Sequence, residues 1–214
     1  MPGAEKITLS NAYPCLSDWT ETTPVNLTYL YQDAWGAEKV FKSNPKYHVD
    51  IGSTSLLVAI LAKYTRVCSV DIRPLPVKMK NLEARHGDIL HLPFKDGEIE
   101  SLSSLCVLEH IGLGRYGDAL DPQGTIKAAV EIERVMKAGG NFYVSTMIGN
   151  EGKVCFNGHR VFTKETFVDY FKNSTLKESV FVTEDRVLEP GEFEKLSPSL
   201  TVGLFHFVKN PARK

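Results

Sequence analysis

The sequence has few cysteines, and their spacing is not one that zinc or redox sites use. No C-x-x-C pair occurs among the four. They are Cys15, Cys68, Cys106 and Cys155. His86 and His91 flank Asp88, but no third or fourth ligand follows at a suitable spacing. We therefore expect buried thiols and no metal site.

The sequence has no excess of charge of either sign and no long apolar segment. Lys and Arg number 25 against 26 Asp and Glu, which gives a formal net charge of -1 at pH 7, so no broad attraction to nucleic acid or anionic membranes is expected. The longest apolar run, residues 55–62, is far shorter than the ~20 residues that span a bilayer. The N-terminus lacks the basic and then apolar order of a signal peptide. We expect a cytoplasmic protein without membrane insertion whose partner is a small molecule, and the oligomeric state stays open.

The length and the order of segments indicate one α/β domain. A chain of 214 residues is long enough to enclose one hydrophobic core. From residue 47 onward, strand-like and helix-like segments alternate, which is typical of α/β proteins. Residues 1–46 differ, with loops and a helix around 29–40 whose aromatic residues either pack in the core or close over a ligand. The sequence thus predicts an N-terminal lid or helical segment, 1–46, and a main domain, 47–214.

Seven segments have the pattern of strands and three more have the pattern of helices. The predicted strands are 47–51, 66–71, 82–85, 99–105, 141–146, 177–183 and 201–208. The predicted helices are 53–64, 122–138 and 163–172. In the second helix, Asp121 is suited to the N-cap, Pro122 to the first position, and Gly139-Gly140 to the end.

The clearest chemical pattern is a strand ending in Asp50-x-Gly52, then a helix, then a strand ending in Asp71. In nucleotide-binding sheets the glycine lets the backbone approach the ligand, and the later acid accepts hydrogen bonds from ribose. By itself the pattern is equally consistent with a solvated turn. NAD is disfavoured because G-x-G-x-x-G is absent.

Further motifs follow in a characteristic order. Gly87-Asp88-Ile89 precedes Leu92-Pro93-Phe94, the fourth predicted strand continues into residues 107–111 (VLEHI), and residues 134–140 read RVMKAGG. This succession resembles the class I S-adenosylmethionine-dependent methyltransferases over residues 47–208. The resemblance implies a Rossmann-like α/β fold with a mixed seven-stranded sheet, a reversed last strand and helices on both faces. It also implies S-adenosylmethionine as cofactor and S-adenosylhomocysteine as product.

A closer resemblance is to an uncharacterised bacterial and nematode methyltransferase-like family of unknown function. The matching stretches are residues 49–52, 70–75, 109–118, 121–122, 154–157 and 159–161. Such long stretches are specific for the family, but they imply a fold more strongly than a reaction.

The resemblance assigns cofactor contacts along four strand ends. These are Asp50, Gly52, Ser53, Thr54, Asp71, Ile72, Asp88, Ile89 and Leu105. The loop departs from the usual D-x-G-x-G-x-G because only its first glycine is kept. The side chains of Thr54 and Leu56 crowd the space of the cofactor's amino acid part, unless the hydroxyls of Ser53 and Thr54 replace the lost contacts.

The catalytic candidates are His110 and Glu109, just after the fourth strand. A pKa near 6.5 suits His110 as a general base, and Glu109 either orients it or substitutes for it. The alternative is that His110 only holds the loop backbone. The candidate acceptor contacts are Arg115, Tyr116, Asp118, Asn157, His159 and Arg160. Alternatively, Arg115 and Asp118 pair with each other, and residues 157–160 form an ordinary surface loop.

The sequence thus predicts a methyltransferase for a small polar acceptor, with a sugar hydroxyl or glycan precursor as one candidate. Two alternatives stay open. One is a methyltransferase-like binding or scaffold protein without turnover, and the other binds a different nucleotide, such as a nucleotide-sugar.

Overall fold

Each alternating segment forms the type of element that its pattern predicts. The computed structural model describes residues 3, 5–196 and 200–212. The strands are β1 (Tyr47–Ile51), β2 (Arg66–Asp71), β3 (Leu82–His86), β4 (Ile99–Leu105), β5 (Met136–Ile148), β6 (Lys153–Cys155), β7 (His159–Val161), β8 (Ser174–Val182) and β9 (Thr201–Lys209). The helices are α1 (Leu27–Ser43), α2 (Ser55–Leu61), α3 (Gly124–Val135), α4 (Lys164–Asp169) and α5 (Glu192–Leu196).

The central sheet has seven strands in the order β3-β2-β1-β4-β5-β9-β8. The pairings from β3 to β5 are parallel, whereas β9 is antiparallel to both β5 and β8. This confirms the mixed seven-stranded sheet and its reversed last strand. The strand order changes direction between β1 and β4, and in open α/β sheets ligands bind at the carboxyl ends of the strands beside such a point.

Helices cover both faces of the sheet, as expected. One face packs Val49 and Val70 against Ala128 and Ile132 of α3. The other face packs against α1 and α2, mainly through Trp35, Val40, Leu57 and Leu61. In α1, a Cβ at Gly36 would lie 2.9 Å from the Cδ1 of Leu105. The helix α1 therefore packs directly on the sheet as a side layer, whereas residues 5–26 before it are exposed.

A chain of buried hydrogen bonds joins β1 to β4. The Ser103 hydroxyl donates to Asp50 Oδ2 at 2.5 Å, and His48 lies 2.9 Å from Ser103 Oγ through Nε2 and 2.8 Å from Ser101 Oγ through Nδ1. Burial lowers the pKa of His48 to about 3, so its ring is neutral. Because Ser103 gives its one proton to the carboxylate, His48 Nε2 must be its donor, and Nδ1 accepts from Ser101.

The boundaries of α3 differ from the prediction. The helix begins at Gly124, and Asp121 accepts instead from the Gln123 N–H at 2.9 Å, in the turn before it. It ends at Val135, because the next residue already pairs with β4. Where β4 pairs with β5, Ile99 is opposite Met136, and the next paired residue of β4, Ser101, is opposite Asn141. β5 therefore has more residues than β4 between these two pairs. Gly139-Gly140 therefore lies in a strand bulge, with Gly139 at φ +79°.

Three smaller differences concern short elements. α2 occupies only the middle of the predicted 53–64 helix, with Thr54 as its N-cap. α4 is shorter than the predicted 163–172 helix and is capped by Thr163, whose Oγ1 accepts from the Thr166 N–H at 3.2 Å. The loop expected around His159 and Arg160 contains β7, which pairs with β6 in a separate two-stranded sheet. Three-residue strands are too short to show a hydrophobic period.

Candidate active site

A cavity of about 420 Å³ lies at the carboxyl ends of the parallel strands. We call it the first cavity. It brings together eight residues predicted from the sequence: Gly52, Asp71, Ile72, Asp88, Ile89, His110, Tyr116 and Asp118. Four separate segments of the chain supply them, because parallel strands place their carboxyl ends at one edge of the sheet.

Asp71 ends β2 and lines this cavity. Its Oδ1 accepts from the Arg73 N–H at 2.7 Å. Its Oδ2 lies beside Gly52, 3.6 Å from where a Cβ at that glycine would be. Gly52 has φ +68°, and the same Cβ would lie 3.2 Å from a methyl group of Val107, so glycine keeps this corner open.

Asp88 and the residues around it line the same cavity beside Asp71. Asp88 Oδ1 accepts from the Leu90 N–H at 2.9 Å, which fixes the turn after β3. Ile89 is buried in the core, and Ile72 and Ile111 add further apolar surface to the lining. The first cavity thus combines two carboxylates with apolar walls.

Four predicted cofactor contacts do not line the first cavity: Asp50, Ser53, Thr54 and Leu105. Asp50 is fully buried and accepts from the Ser53 N–H at 3.1 Å, and burial raises its pKa to about 6. Ser53 Oγ accepts from the Leu105 N–H at 3.0 Å, and the Thr54 hydroxyl donates to Asp33 at 2.5 Å. Both hydroxyls expected to contact a cofactor are therefore engaged by the protein itself.

A larger cavity of about 800 Å³ adjoins the first. We call it the second chamber. The start of α1, the loop after β4 and the ends of β8 and β9 form its walls. Cys106, His110 and Tyr116 line both cavities. The sequence did not predict Asn26, Thr28, Thr183, Glu184 or Asp185 in this lining, because no motif connects segments so distant along the chain.

His110 has a defined tautomer. Its Nδ1 lies 2.7 Å from the carbonyl oxygen of Gly158, and since a carbonyl only accepts, Nδ1 must carry the proton. Burial lowers the pKa of His110, so the ring is neutral at pH 7. Its Nε2 therefore presents a lone pair at the junction of the two cavities, as a general base requires.

Glu109 lies beside His110 and is almost fully buried, with 1% of its surface exposed. Its Oε1 is 3.9 Å from His110 Nε2, too far for a hydrogen bond. Its Oε2 has no hydrogen-bond partner among the described residues. Burial raises the pKa of Glu109 to about 7.

The loop after His110 is shaped by Asp118 rather than by an Arg115–Asp118 pair. Asp118 Oδ2 accepts from the N–H groups of Gly112 and Gly114 at 2.7 and 3.3 Å. Arg115 instead donates to the Gly158 carbonyl at 3.0 Å. The guanidinium groups of Arg73 and Arg115 both contact the Tyr116 ring, at 4.5 and 5.0 Å from its centre.

The three candidate residues from the β6–β7 segment are separated. His159 lines the second chamber. Arg160 is buried and donates to the Ile111 and Asp121 carbonyls at 2.5 and 3.2 Å, so it supports the loop. Asn157 is exposed and lines neither cavity.

The fold is that of the class I S-adenosylmethionine-dependent methyltransferases. The 1,6-didemethyltoxoflavin-N1-methyltransferase of Burkholderia thailandensis, solved with 1,6-didemethyltoxoflavin and S-adenosylhomocysteine, has a TM-score of 0.65 at 15% identity over 87% of this chain and 80% of its own. The [4+2]-cyclase SpnF has a TM-score of 0.63 at 13% identity, and the match covers 84% of this chain and 81% of the cyclase. Geranyl diphosphate methyltransferase, in complex with S-adenosylmethionine, has a TM-score of 0.59 at 12% identity, and the match covers 83% of this chain and 85% of that enzyme. At such identities the likeness concerns the fold, and the cyclase shows that one fold carries more than one reaction.

At the level of sequence, the family model described as Caenorhabditis protein of unknown function, DUF268, matches residues 94–168. That stretch contains β4, the Glu109-His110 segment and α3. No curated protein sequence gives a significant match.

The expectation of buried thiols is wrong for Cys15 and Cys155, which are exposed, whereas Cys68 is buried.

Neither a metal-binding cluster nor a membrane-spanning helix is found among the described residues. No group of three or more His, Cys, Asp or Glu side chains there is placed to hold a metal ion. No helix in those ranges is long and apolar enough to cross a membrane.

Proposed function

We propose that this protein transfers a methyl group from S-adenosylmethionine to a small polar acceptor. The observation that carries the proposal is the junction of the two cavities at His110, Cys106 and Tyr116. A cofactor in the first cavity and an acceptor in the second chamber would meet at a neutral imidazole. Methyl transfer depends mainly on such alignment, with a base where the acceptor must lose a proton.

The residues of the first cavity fit the nucleoside part of this cofactor. The Asp71 carboxylate would accept from ribose hydroxyls, and Asp88 with Ile72 and Ile89 would hold the adenine. When bound, the cofactor supplies a methyl group on a sulfonium. Because Ser53 and Thr54 are engaged elsewhere, we assign the remaining contacts to the corner at Gly52.

The residues of the junction would act on the acceptor. His110 Nε2 accepts its proton, while the Gly158 carbonyl holds the ring in place through Nδ1. Glu109 provides a second acceptor 3.9 Å from Nε2. Arg115, Tyr116 and His159 line the second chamber. A sugar hydroxyl or glycan precursor is among the acceptors to be tested, and a cytoplasmic location and the division at residue 46 stay predictions.

The test is a calorimetric titration of the folded protein with S-adenosylmethionine and with S-adenosylhomocysteine. We expect saturable binding of both, weakened in Asp71→Ala. A folded protein that gives no heat at millimolar concentrations of either compound would overturn the proposal.

A second candidate is a binding protein that takes another nucleotide in the first cavity, such as a nucleotide-sugar. Two observations favour it. The loop hydroxyls of Ser53 and Thr54 are committed to the protein, and the Arg73 guanidinium, a group that suits phosphate, belongs to the cavity lining. A thermal-shift comparison of UDP-glucose with S-adenosylhomocysteine distinguishes the two functions, since stabilisation by UDP-glucose alone would favour the second.

A further inference from the structure

The charged residues that line the second chamber are mostly acidic. Of the described lining residues, three are acidic and one is a strong base: Glu109, Glu184, Asp185 and Arg115. Arg115 is bonded to the Gly158 carbonyl. The cation that follows in sequence, Arg186, pairs with Glu192 at 2.6 and 2.8 Å. The chamber therefore favours a ligand of positive charge.

Glu109, one of these three acids, adds a second observation, which is the bonding of its carboxyl group. Its carboxyl group is buried and lines the chamber. Oε2 makes no hydrogen bond to a described residue, although the nearby Cys106 thiol and Thr146 hydroxyl offset part of the rise in pKa that burial causes. Buried carboxyl groups are ordinarily hydrogen-bonded, since an unpaired one is costly. A donor supplied by a ligand would satisfy it.

The neighbouring imidazole specifies what that donor must offer. His110 Nε2 carries a lone pair, and Glu109 Oε1, 3.9 Å away, is also an acceptor. A group that satisfies both needs at least two hydrogens on one atom. A hydroxyl has one, whereas an amine has two and an ammonium three.

We propose that the second chamber binds a small aliphatic amine in its ammonium form, with Glu109 as its counter-charge, and that the amine nitrogen is the methyl acceptor. The proposal rests on the proposed function for its methyl donor. Glu184 and Asp185, exposed on the segment after β8, attract the cation toward the chamber.

The step balances as follows. The ammonium gives one proton to His110 Nε2 or to the Glu109 carboxylate, which leaves a neutral amine with a free electron pair. That pair forms the new N–C bond to the methyl group of the sulfonium. The C–S bond breaks, its electrons stay on sulfur, and the products are an N-methylammonium and neutral S-adenosylhomocysteine.

The test uses pairs of probes that differ only in an amine or a hydroxyl: glucosamine and glucose, ethanolamine and ethylene glycol, putrescine and 1,4-butanediol. Binding is measured by calorimetry with the whole chain at pH 8, with and without S-adenosylhomocysteine. We expect at least one amine to bind about ten-fold or more tightly than its hydroxyl partner, because a site built for N–H donors discriminates against a ligand with fewer of them. Equal affinities within every pair, preference for a hydroxyl, or no binding of any amine would overturn the proposal.

Variants then locate the effect. Glu109→Gln keeps the shape of the side chain and should abolish the preference for the amine. Glu184→Gln with Asp185→Asn changes only exposed residues, so folding is not at risk, and should weaken the amine about two- to three-fold in a way that salt removes. Glu100→Gln, at an exposed site near the opposite end of β4, is the matched control and should change nothing. A preference that survives Glu109→Gln in a folded protein contradicts the assignment.

The two proposals fail separately. Absence of S-adenosylhomocysteine binding would overturn the methyltransferase function, while the amine preference is still read from the titrations without nucleotide. Binding of S-adenosylhomocysteine without any amine preference would keep the methyltransferase and overturn the amine.

Discussion

The carbonyl oxygen of Gly158 accepts a hydrogen bond of 2.7 Å from Nδ1 of His110. The two residues are 48 positions apart in sequence, and β7 brings them together because the Arg160 N–H donates to the Glu109 carbonyl at 2.9 Å. This bond decides which ring nitrogen carries the proton. It therefore converts a histidine near a strand end into an oriented base.

The substitution His110→Asn keeps a donor for the hydrogen bond to Gly158 but removes the nitrogen that would act as the base. The asparagine side chain has an N–H group that can still donate to Gly158, but it has no equivalent of Nε2. We expect methyl transfer to the acceptor to fall by roughly 10²–10⁴-fold, with S-adenosylhomocysteine affinity within about three-fold of wild type. Single-turnover kinetics and calorimetry measure the two quantities. His91→Asn, at an exposed histidine, should leave both unchanged, and an active His110→Asn enzyme would exclude His110 as the base.

Asp71→Ala should weaken S-adenosylhomocysteine by about ten-fold or more, because hydrogen bonds to a charged acceptor are among the strong ones. Asp71→Asn keeps one oxygen that can accept from the Arg73 N–H, so it should lose less. Calorimetric dissociation constants measure the effect. Asp169→Asn, at an exposed residue of α4, is the control, and equal affinities across the three variants would remove Asp71 from the cofactor site.

Ser103→Ala breaks the buried chain between His48 and Asp50. The Asp50 carboxylate loses one donor and the His48 Nε2–H loses its acceptor, and neither can reach water. We expect a loss of about 1–3 kcal/mol in the free energy of unfolding, measured in urea. Ser55→Ala, at an exposed residue, should stay within about 0.5 kcal/mol of wild type. Equal stability of the two variants would contradict the network.

Glu109 should make stability depend on pH in a predictable direction. Burial raises its pKa from 4.5 to about 7, so between these values the folded state keeps a proton that the unfolded chain has lost. The folded wild type therefore loses stability as pH rises through this window, by up to about 1.4 kcal/mol per unit.

Glu109→Gln removes this dependence while His110 and Arg115 stay in place. The difference in unfolding free energy, variant minus wild type, should increase by roughly 3 kcal/mol as the pH rises from 4.5 to 8. Urea melts at several pH values measure the difference. In Glu100→Gln the difference from wild type should be nearly constant with pH, and a constant difference for Glu109→Gln would show that its carboxyl group ionises as in water.

Gly112→Ala and Gly117→Ala compare two glycines of the loop that borders both cavities. Both have positive φ, +81° and +92°, but a Cβ at Gly112 would lie 2.1 Å from the Asp121 carbonyl oxygen, whereas a Cβ at Gly117 meets nothing within 4 Å. Gly117→Ala should cost about 1–2 kcal/mol through its backbone conformation alone. Gly112→Ala should cost at least about 2 kcal/mol more and weaken S-adenosylhomocysteine binding. Thermal and urea unfolding test the order, and a reversed order would contradict the loop geometry.

Much of the fold could be predicted because local patterns determine it. Residues 47–51 and 99–105 form strands with the predicted bounds, since short β-branched or apolar runs between turns have few alternatives. The exit from α3 into β5 could not be predicted in this way. Gly139-Gly140 ends helices in many proteins, but here pairing of Met136 with Ile99 ends the helix earlier.

The candidate site follows the same division. The residues of the first cavity were predictable because parallel strands place their carboxyl ends together, whatever the packing around them. The roles of Ser53 and Thr54 were not predictable from the sequence. Asp33, which accepts the hydrogen bond from the Thr54 hydroxyl, lies in α1, 21 residues earlier in the chain.

By itself, the sequence determined the order of elements and the acids at the strand ends, because each depends on residues close together along the chain. The mixed sheet was expected only from the family resemblance. Only the tertiary structure decided which groups are buried, which proton His110 carries and where the second chamber lies. Those properties depend on desolvation and on hydrogen bonds between distant segments, and for Glu109 and Gly158 no local pattern records them.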